Sequence, residues 1–543
     1  MMKKVIKKLL AALLAVAMLC AMAIPAFAGT EGDITTWHSF SAFQIFKGKV
    51  EGNDIKDFKI SNVEWGSNIA DDAAAFLDQL KSADTIGPLF TKANSAQDVL
   101  AVISQWNNSD ANSIAFARFV CHYLYPDANA KPKPAVEGGG GSDHIHFDEA
   151  GYYLVVDTTP FNPGDFDHAY NSFLLMVTHA NWNVPITPKA EKPSVKKEVF
   201  DNFDNFDNQD GTSTGDFGSS ADHAINEKFQ FKLTATLPAS TDHAYDYYDT
   251  YAVCFKDTLS EGITYDGPDS VVIESKGNPG NRYDITDSST IDISKLESQN
   301  YFEVNIHDVK ACAKDAGFDL NDGATITVTY TAHLNDKAYV NTGSSSTENK
   351  NSVQLQYSNN PRPGEYWGTT PKSEVYVYTY QLNNTKHAEK EDGTPLPGAV
   401  FQLYSDKDCT QEVKLYKVGN IYFPIKDATD KEKDAVQMIS GQDGQFNVKG
   451  LDAGTYYLKE ITPPDGYSAC KEIPVTIKAD HSRNDQVNLE GSNLTNDIVN
   501  IKAGGITLPS TGGIGTTLFY VVGGGLMVAA IVLLVTKKRM ENK

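Results

Sequence analysis

Short segments in which apolar and polar residues alternate recur along most of this chain, and they limit the folds open to it more than any other feature. An alternation of period two places successive side chains on opposite faces of a β-strand. The clearest such segments are KFQFKLTATLP, TITVTYTAHL, SVQLQY, VYVYTYQL and TYYLKEI. Because they are short and regularly spaced, they predict antiparallel sheets packed as immunoglobulin-like β-sandwiches. The predicted fold class is therefore mainly β.

The chain of 543 residues is too long for one hydrophobic core, and proline-rich stretches divide it. We predict three tandem sandwich domains in an elongated rod, with some helix in the first, around residues 73–80 and 96–106. The predicted segments are a signal peptide at 1–28, an N-terminal domain at 29–189, a middle domain at 190–373, a C-terminal domain at 374–503 and a terminal sorting segment at 504–543.

Both ends of the chain are typical of targeting segments. Near the N-terminus, four lysines precede an apolar run that closes on Ala26-Phe27-Ala28, which predicts a cleaved secretory signal. Near the C-terminus, residues 513–535 are uncharged and mostly apolar, about the 20 residues that a bilayer helix needs. A basic tail at 537–539 follows and would keep that end in the cytoplasm. The chain is therefore expected to be secreted, with a transient membrane stage.

Charge and cysteine content exclude several classes of function. The net charge of −23 argues against nucleic acid as a partner. Five cysteines remain after the signal, an odd number that excludes complete internal pairing, although Cys409 and Cys470 could pair within one predicted domain. The Asp-rich stretch 201–210 lacks the spacing of an EF-hand, so we expect no metal site and no cofactor. No arrangement of catalytic residues stands out, and an enzyme is not expected.

Three polar residues of the middle domain share strand faces with apolar ones. In VKKEV, Lys197 alternates onto the face of its neighbouring valines, and in NSVQLQY and AVCFKDTL the same holds for Asn351 and Asp257. Burying these groups on three strands is unfavourable unless they satisfy one another. We therefore expect them to meet in the core.

The sequence Leu508-Pro509-Ser510-Thr511-Gly512 stands directly before the C-terminal apolar span. With the span and the basic tail, it resembles the LPxTG sorting signal of Gram-positive surface proteins. In that family a membrane sortase cuts between the threonine and the glycine, holds the threonine carbonyl as a thioester, and passes it to an amine. The resemblance implies that Thr511 becomes covalently attached, finally to peptidoglycan.

In the C-terminal domain, DGTPLPGAVFQLY and GLDAGTYYLKEITPPDGY resemble the collagen-adhesin B-type repeat of Gram-positive pilins. In that family a lysine and an asparagine join spontaneously as an isopeptide bond beside an acid. The resemblance implies a Lys386–Asn500 bond with Glu460 as the acid, and Lys390 is a rival for the lysine. The middle domain resembles the related A-type repeat.

The A-type resemblance implies a second bond, Lys197–Asn351, with Asp257 as its acid. The chemistry is reasonable, because burial lowers the pKa of an amine and raises that of a carboxyl group. Neighbouring strands hold the reactants at an effective molarity that can reach about 10⁵–10⁸ M. The neutral amine attacks the carboxamide, and ammonia leaves.

The segment WNVPITPK, at the end of the N-terminal domain, resembles the pilin motif, with Thr187 where tyrosine is usual. In the family, the lysine of this motif attacks the thioester of the next subunit. The resemblance implies a bond between Lys189 and Thr511 of a neighbouring copy. Other lysines nearby could serve instead, namely Lys192, Lys196 and Lys197.

These resemblances imply the backbone subunit of a sortase-assembled pilus, anchored to the cell wall and supporting adhesion. Its implied partners are a pilin-specific sortase, a housekeeping sortase, other copies of itself, minor pilins and peptidoglycan. The alternative is a monomeric LPxTG-anchored adhesin that binds host matrix. A working acceptor lysine in the pilin motif distinguishes the two.

Overall fold

The computed structural model is mainly β and consists of three consecutive regions. It describes residues 39–53, 59–106, 110–137, 144–158, 174–185, 192–202, 215–241, 243–296, 300–340, 349–363, 367–483, 486–489 and 495–504.

The N-terminal region combines a five-stranded sheet, a separate two-stranded sheet and three α-helices. The larger sheet has the order β2-β1-β5-β6 with β3 beside β1, and β4 pairs with β7. The strands are β1 (Phe40–Glu51), β2 (Lys59–Trp65), β3 (Val136–Glu137), β4 (His144–Phe147), β5 (Gly151–Asp157), β6 (Leu174–Thr178) and β7 (Trp182–Pro185). The helices are α1 (Ala73–Ser82), α2 (Ala96–Ile103) and α3 (Ala111–Leu124).

The helices form the core of this region together with one face of the larger sheet. Helix α2 begins where the Ser95 hydroxyl accepts from the Asp98 amide, which satisfies one of the free amides of its first turn. The two predicted helical segments are confirmed as α1 and α2. Helix α3 was not predicted, although its buried residues Ile114, Ala117 and Cys121 follow a helical spacing.

The middle region is a sandwich of two sheets with one large common core. One sheet has the order β14-β13-β17-β11-β8-β9, and the other has the order β10-β20-β18-β12-β16-β15 with β19 beside β18. A short helix, α4 (Val309–Asp315), packs against this core. The strands are β8 (Ser194–Asp201), β9 (Asp216–Gly218), β10 (Ser220–Asp222), β11 (Lys228–Leu237), β12 (Val253–Leu259), β13 (Ile263–Ser275), β14 (Arg282–Asp284), β15 (Ile291–Leu296), β16 (Tyr301–Ile306), β17 (Ala324–Leu334), β18 (Asn349–Ser358), β19 (Trp367–Thr369) and β20 (Ser373–Tyr378).

The C-terminal region is a smaller sandwich with its own core. Its sheets have the orders β23-β24-β26-β21-β31 and β25-β22-β27-β28, and β29 pairs with β30. The strands are β21 (Tyr380–Ala388), β22 (Val400–Tyr404), β23 (Leu415–Val418), β24 (Ile421–Pro424), β25 (Met438–Ile439), β26 (Asn447–Leu451), β27 (Gly454–Thr462), β28 (Ile473–Ile477), β29 (Ala479–Arg483), β30 (Gln486–Leu489) and β31 (Thr495–Asn500).

The junction between the middle and C-terminal regions lies later than the predicted boundary at residues 373 and 374. Strand β20 pairs with β18 and β10 and so completes a sheet of the middle region. Only Thr379 separates β20 from β21, the first strand of the C-terminal region. The alternating segment VYVYTYQL therefore spans two domains, which its pattern alone does not indicate.

Within the described residues, no helix is both long enough and apolar enough to cross a membrane. The predicted span at 513–535 and the signal peptide at 1–28 lie outside the described residues.

Candidate functional site

The middle region brings Lys197, Asp257 and Asn351 together between its two sheets. Strand β8 carries Lys197 in one sheet, while β12 and β18 carry the acid and the amide in the other. The burial pattern of β8 follows the predicted alternation, since Lys197 and Val199 are buried and Lys196 is exposed. All three polar residues are at most 2% exposed.

A fourth residue, Tyr330 of β17, completes this middle centre. Lys197 Nζ donates to a carboxylate oxygen of Asp257 and to the Tyr330 hydroxyl, the latter at 2.9 Å. Asn351 Nδ2 donates to the same hydroxyl at 2.6 Å, and the hydroxyl lies 3.4 Å from Asp257 Oδ1. Tyr330 therefore connects the amine, the amide nitrogen and the acid.

The middle centre is dry and aromatic. Lys197 Nζ lies 5.1 Å from the ring centroid of Phe231 and 5.2 Å from that of Tyr330. Burial lowers the pKa of Lys197 to about 8, against the opposing effect of Asp257, and burial likewise raises the pKa of Asp257. The Asn351 Oδ1 atom is buried and has no hydrogen-bond partner among the described residues. Both shifts act in the direction that the proposed chemistry needs, because they make the amine easier to deprotonate and the acid easier to protonate.

The C-terminal region brings Lys386, Glu460 and Asn500 together. The first and last strands of the region, β21 and β31, pair in parallel, with Lys386 opposite Ile498 and Ala388 opposite Asn500. Glu460 approaches from β27, in the facing sheet. The lysine and the asparagine are at most 1% exposed.

Contacts in the C-terminal centre are direct. Lys386 Nζ donates to Asn500 Oδ1 at 2.6 Å and lies 3.5 Å from Glu460 Oε1. The same carboxylate oxygen accepts from Asn500 Nδ2 at 2.8 Å. Burial lowers the pKa of Lys386, as in the middle centre. The acid thus contacts the nitrogen that would leave as ammonia.

Cys470 is a neighbour of this centre that the sequence did not predict. Its backbone amide donates to Glu460 Oε2 at 2.7 Å. Burial raises the pKa of its thiol to about 11, so it stays protonated at neutral pH. This thiol therefore adds no negative charge beside the amine.

The possible Cys409–Cys470 disulfide is not formed in this structure, in which both residues are free thiols. Cys409 has a positive φ of 51° in a surface turn, and its electrostatic neighbours include Glu472 and Lys459. Cys470 instead neighbours Lys386 and Glu460 on the inner side of the sheet.

Lys390, the rival for Lys386, lies on the surface, and so does Lys47. Lys390 pairs with Asp392 at 2.9 Å and is 69% exposed, which excludes it from the buried centre. Lys47, on the first strand of the N-terminal region, pairs with Glu64 at the surface. Lys189 and Thr511, predicted to form the intersubunit bond, lie outside the described residues, as does the whole sorting signal at 508–512.

Two protein-family profiles match the chain. The SpaA prealbumin-like fold domain matches residues 381–492, and the LPXTG cell wall anchor motif matches residues 500–542. The chain carries a SpaA-type domain followed by an LPXTG cell-wall anchor. The SpaA-type domain contains Lys386 and Glu460, and Asn500 is the first residue of the anchor match. The predicted sorting signal is thereby confirmed, and with it the location at the cell wall.

The chain is also similar to the trypsin-resistant surface T6 protein of Streptococcus pyogenes serotype M6. The identity is 26% over 298 residues, which cover 52% of this chain and 44% of the T6 protein, so the match spans less than half of that relative.

Among solved structures, the T6 backbone pilin of the same serotype has 17% identity and a TM-score of 0.48, covering 87% of this chain and 97% of that one. The major pilin SpaD of Corynebacterium diphtheriae has 19% identity and a TM-score of 0.42, covering 70% of this chain and 88% of that one.

Proposed function

We propose that this chain is the backbone subunit of a covalently polymerised, cell wall-anchored pilus, stiffened by two internal isopeptide bonds. The observation that carries the proposal is the presence, in each of two separate cores, of a complete set of buried lysine, acid and asparagine. Such sets are unfavourable as static polar groups, and a reaction that neutralises the lysine removes much of that cost.

At the C-terminal centre the neutral Lys386 Nζ attacks Cγ of Asn500. A new C–N bond forms while the bond from Cγ to Nδ2 breaks, and the departing nitrogen leaves as ammonia. Glu460, already 2.8 Å from Nδ2, transfers the proton that the amine loses. The amide of the product carries no charge, so the core retains no ion pair.

At the middle centre Asp257 takes the role of Glu460, and Lys197 attacks Asn351. Tyr330 accepts from both reacting nitrogens. Its hydroxyl can therefore pass a proton from the attacking amine to the leaving nitrogen without a change in the side-chain positions.

Polymerisation follows from a donor at the C-terminus and an acceptor lysine near the end of the N-terminal domain. Sortase would hold Thr511 as a thioester, and Lys189 of the next copy would attack it, so that subunits join head to tail. Such a heterologous contact need not close, and it can extend indefinitely as a filament. A pilin-specific sortase would form these joints, and a housekeeping sortase would attach the last subunit to peptidoglycan. Minor pilins would join the same fibre.

The experiment that tests the pilus function is expression of the full chain with a pilin-type sortase in a Gram-positive host. Wall extracts boiled in detergent should show a high-mass ladder, and Lys189→Arg should reduce it to monomer. The control Lys192→Arg should keep the ladder. A wild-type chain that stays monomeric on the wall would contradict the pilus function and favour an LPxTG-anchored adhesin. A ladder that survives Lys189→Arg and is lost in Lys192→Arg would move the acceptor to Lys192.

A further inference from the structure

A further cluster of polar residues lies where the middle and C-terminal regions meet, and it includes no residue of the middle centre or of the C-terminal centre. His223 and Glu227 lie in the connection between β10 and β11, and Asp452 lies in the turn between β26 and β27. One ring nitrogen of His223 and one carboxylate oxygen of each acid all lie within 4.8 Å of one another. The sequence does not indicate this cluster, because its residues come from two domains.

His223 is held in one orientation by its surroundings. It is 2% exposed, and its ring stacks on Phe229 with centroids 4.2 Å apart. Its Nε2 atom lies 2.8 Å from the carbonyl oxygen of Phe200, and a carbonyl can only accept, so Nε2 carries the hydrogen. In the neutral ring, Nδ1 then has a free lone pair.

The Nδ1 atom of His223 is buried and has no hydrogen-bond partner among the described residues. A buried acceptor without a donor is unfavourable. Metal-binding histidines characteristically donate their second ring N–H to a carbonyl or carboxylate, which is what Nε2 does here.

The charge around the cluster is strongly negative. Besides the two acids of the cluster, Asp222 and Asp201 are buried close by. Tyr380 donates to Asp222 Oδ2 at 3.0 Å, and burial together with the charges of Asp222, Asp452 and Asp201 raises its pKa. Lys426 Nζ lies 3.4 Å from Glu227 Oε2 and supplies one positive charge. A divalent cation would offset a further part of this negative charge.

The backbone around the cluster is fixed across the domain junction. The amide of His223 donates to Tyr378 at 3.0 Å, and that of Ile225 donates to Gly450 in the C-terminal region at 2.9 Å. The Glu227 carboxylate accepts from the Ala224 amide at 3.1 Å, and Asp452 Oδ1 accepts from the Ala453 amide at 2.9 Å. The three ligands are therefore positioned by rigid contacts.

We propose that His223, Glu227 and Asp452 bind a divalent transition-metal cation of the zinc type, which joins the middle and C-terminal domains. One imidazole and two carboxylates form a ligand set that Zn²⁺ accepts, whereas Ca²⁺ prefers oxygen ligands alone. Tetrahedral Zn²⁺ requires ligand atoms about 3.3 Å apart, so the side chains close slightly around the ion. The metal fixes the angle between two neighbouring domains of the fibre.

The test uses the untagged secreted chain, residues 29–511, stripped with EDTA and titrated with ZnCl₂ by calorimetry. We expect one Zn²⁺ per chain. His223→Ala and Asp452→Asn should each weaken binding by more than about 10-fold. The matched control is His307→Ala, which removes a surface histidine that lies 2.8 Å from Asp292. This control should bind Zn²⁺ as the wild type does.

A second readout is thermal unfolding. At a Zn²⁺ concentration about 100 times Kd, the wild type and the control should gain roughly 5–10 °C in Tm, and the two cluster variants should not.

Circular dichroism checks that each variant folds; should His223→Ala fail to fold, Asp452→Asn decides. Absence of Zn²⁺ binding in the wild type, or unchanged binding in the folded variants, overturns the proposal. Binding of Ca²⁺ without Zn²⁺ overturns the assignment of the metal class.

Discussion

In the middle domain the lysine and asparagine of the proposed bond lie on facing sheets, whereas in the C-terminal domain they lie on neighbouring parallel strands of one sheet. The acids differ correspondingly: Asp257 lies in the same sheet as its asparagine, and Glu460 reaches across from the facing sheet. One chemistry is thus built on two geometries. What both share is burial of all three groups and contact of the amide nitrogen with the acid, directly or through Tyr330.

The difference has mechanical consequences. The Lys197–Asn351 bond would tie one sheet to the other and resist their separation. The Lys386–Asn500 bond would tie the first strand of its domain to the last, so a pulling force would pass from β21 to β31 without loading the strands between them. A single substitution can remove or slow either bond, and the predictions below use such substitutions to test this difference.

The largest expected effect is mechanical. Asn500→Ala removes the electrophile, so the segment enclosed by the bond can unfold under force. The two residues are 114 positions apart, and their release should add roughly 400 Å of extension in single-molecule pulling. The wild-type C-terminal domain should add none.

The matched control for this experiment is Asn496→Ala. Asn496 lies on the same strand and donates to Asn384 at 2.9 Å, so its loss removes a buried hydrogen bond and leaves the bond-forming residues intact. Equal extensions in the wild type and in Asn500→Ala would contradict the proposed bond.

The next effect concerns the rates at which the two proposed bonds form. Tyr330→Phe removes the hydroxyl that links amine, amide and acid in the middle centre, and should slow that bond on the order of 100-fold. Loss of ammonia during cell-free synthesis, followed by intact mass, measures this. The C-terminal centre, which contacts no tyrosine hydroxyl among the residues that the structure describes, is the internal control and should react at its normal rate. Equal slowing of both bonds would argue for a general folding defect.

A pH dependence follows from the buried amine of the middle centre. In Asn351→Ala, Lys197 stays free, with a folded pKa of about 8 against an ordinary value of 10.5. Between these values the unfolded chain binds more protons than the folded one, so stability rises with pH.

The free energy of unfolding of the variant, measured relative to that of the wild type, should therefore rise by roughly 2–3 kcal/mol between pH 8 and 10.5. Denaturant unfolding of both proteins at several pH values measures this difference. Both proteins contain the same tyrosines, so the contribution of tyrosine titration cancels when the two free energies are subtracted. A variant whose deficit stays constant with pH would show that Lys197 does not titrate in the core.

The smallest effect concerns Cys409. Because its thiol is on the surface and unbonded, Cys409→Ala should change the free energy of unfolding by no more than about 0.5 kcal/mol. The stability of the wild type should also be the same with and without a reducing agent. A marked loss of stability under reduction would indicate a disulfide.

Alternation of period two was sufficient to predict which lysine of the adjacent pair at 196 and 197 points inward, because strand geometry leaves only two faces. It did not identify Tyr330, although this residue shares a face with Val328, because an inward tyrosine usually indicates ordinary packing. Cys470 lies outside any strand, so no periodicity applies to it.

The domain boundary at Thr379 and the cluster around His223 depend on how whole domains pack together. Local patterns carry no information about contacts between residues more than 200 positions apart. The resemblance to known repeats, in contrast, indicated Lys386 rather than Lys390, and burial in the structure agrees with that choice.

Intact mass of the secreted chain, residues 29–511, followed by peptide mapping, tests the two proposed bonds directly. Two isopeptide bonds lower the mass below the calculated value by two ammonia molecules and give cross-linked peptides that join Lys197 to Asn351 and Lys386 to Asn500. A chain that retains its full calculated mass, with both lysines free to react with amine reagents after denaturation, would contradict both proposed bonds.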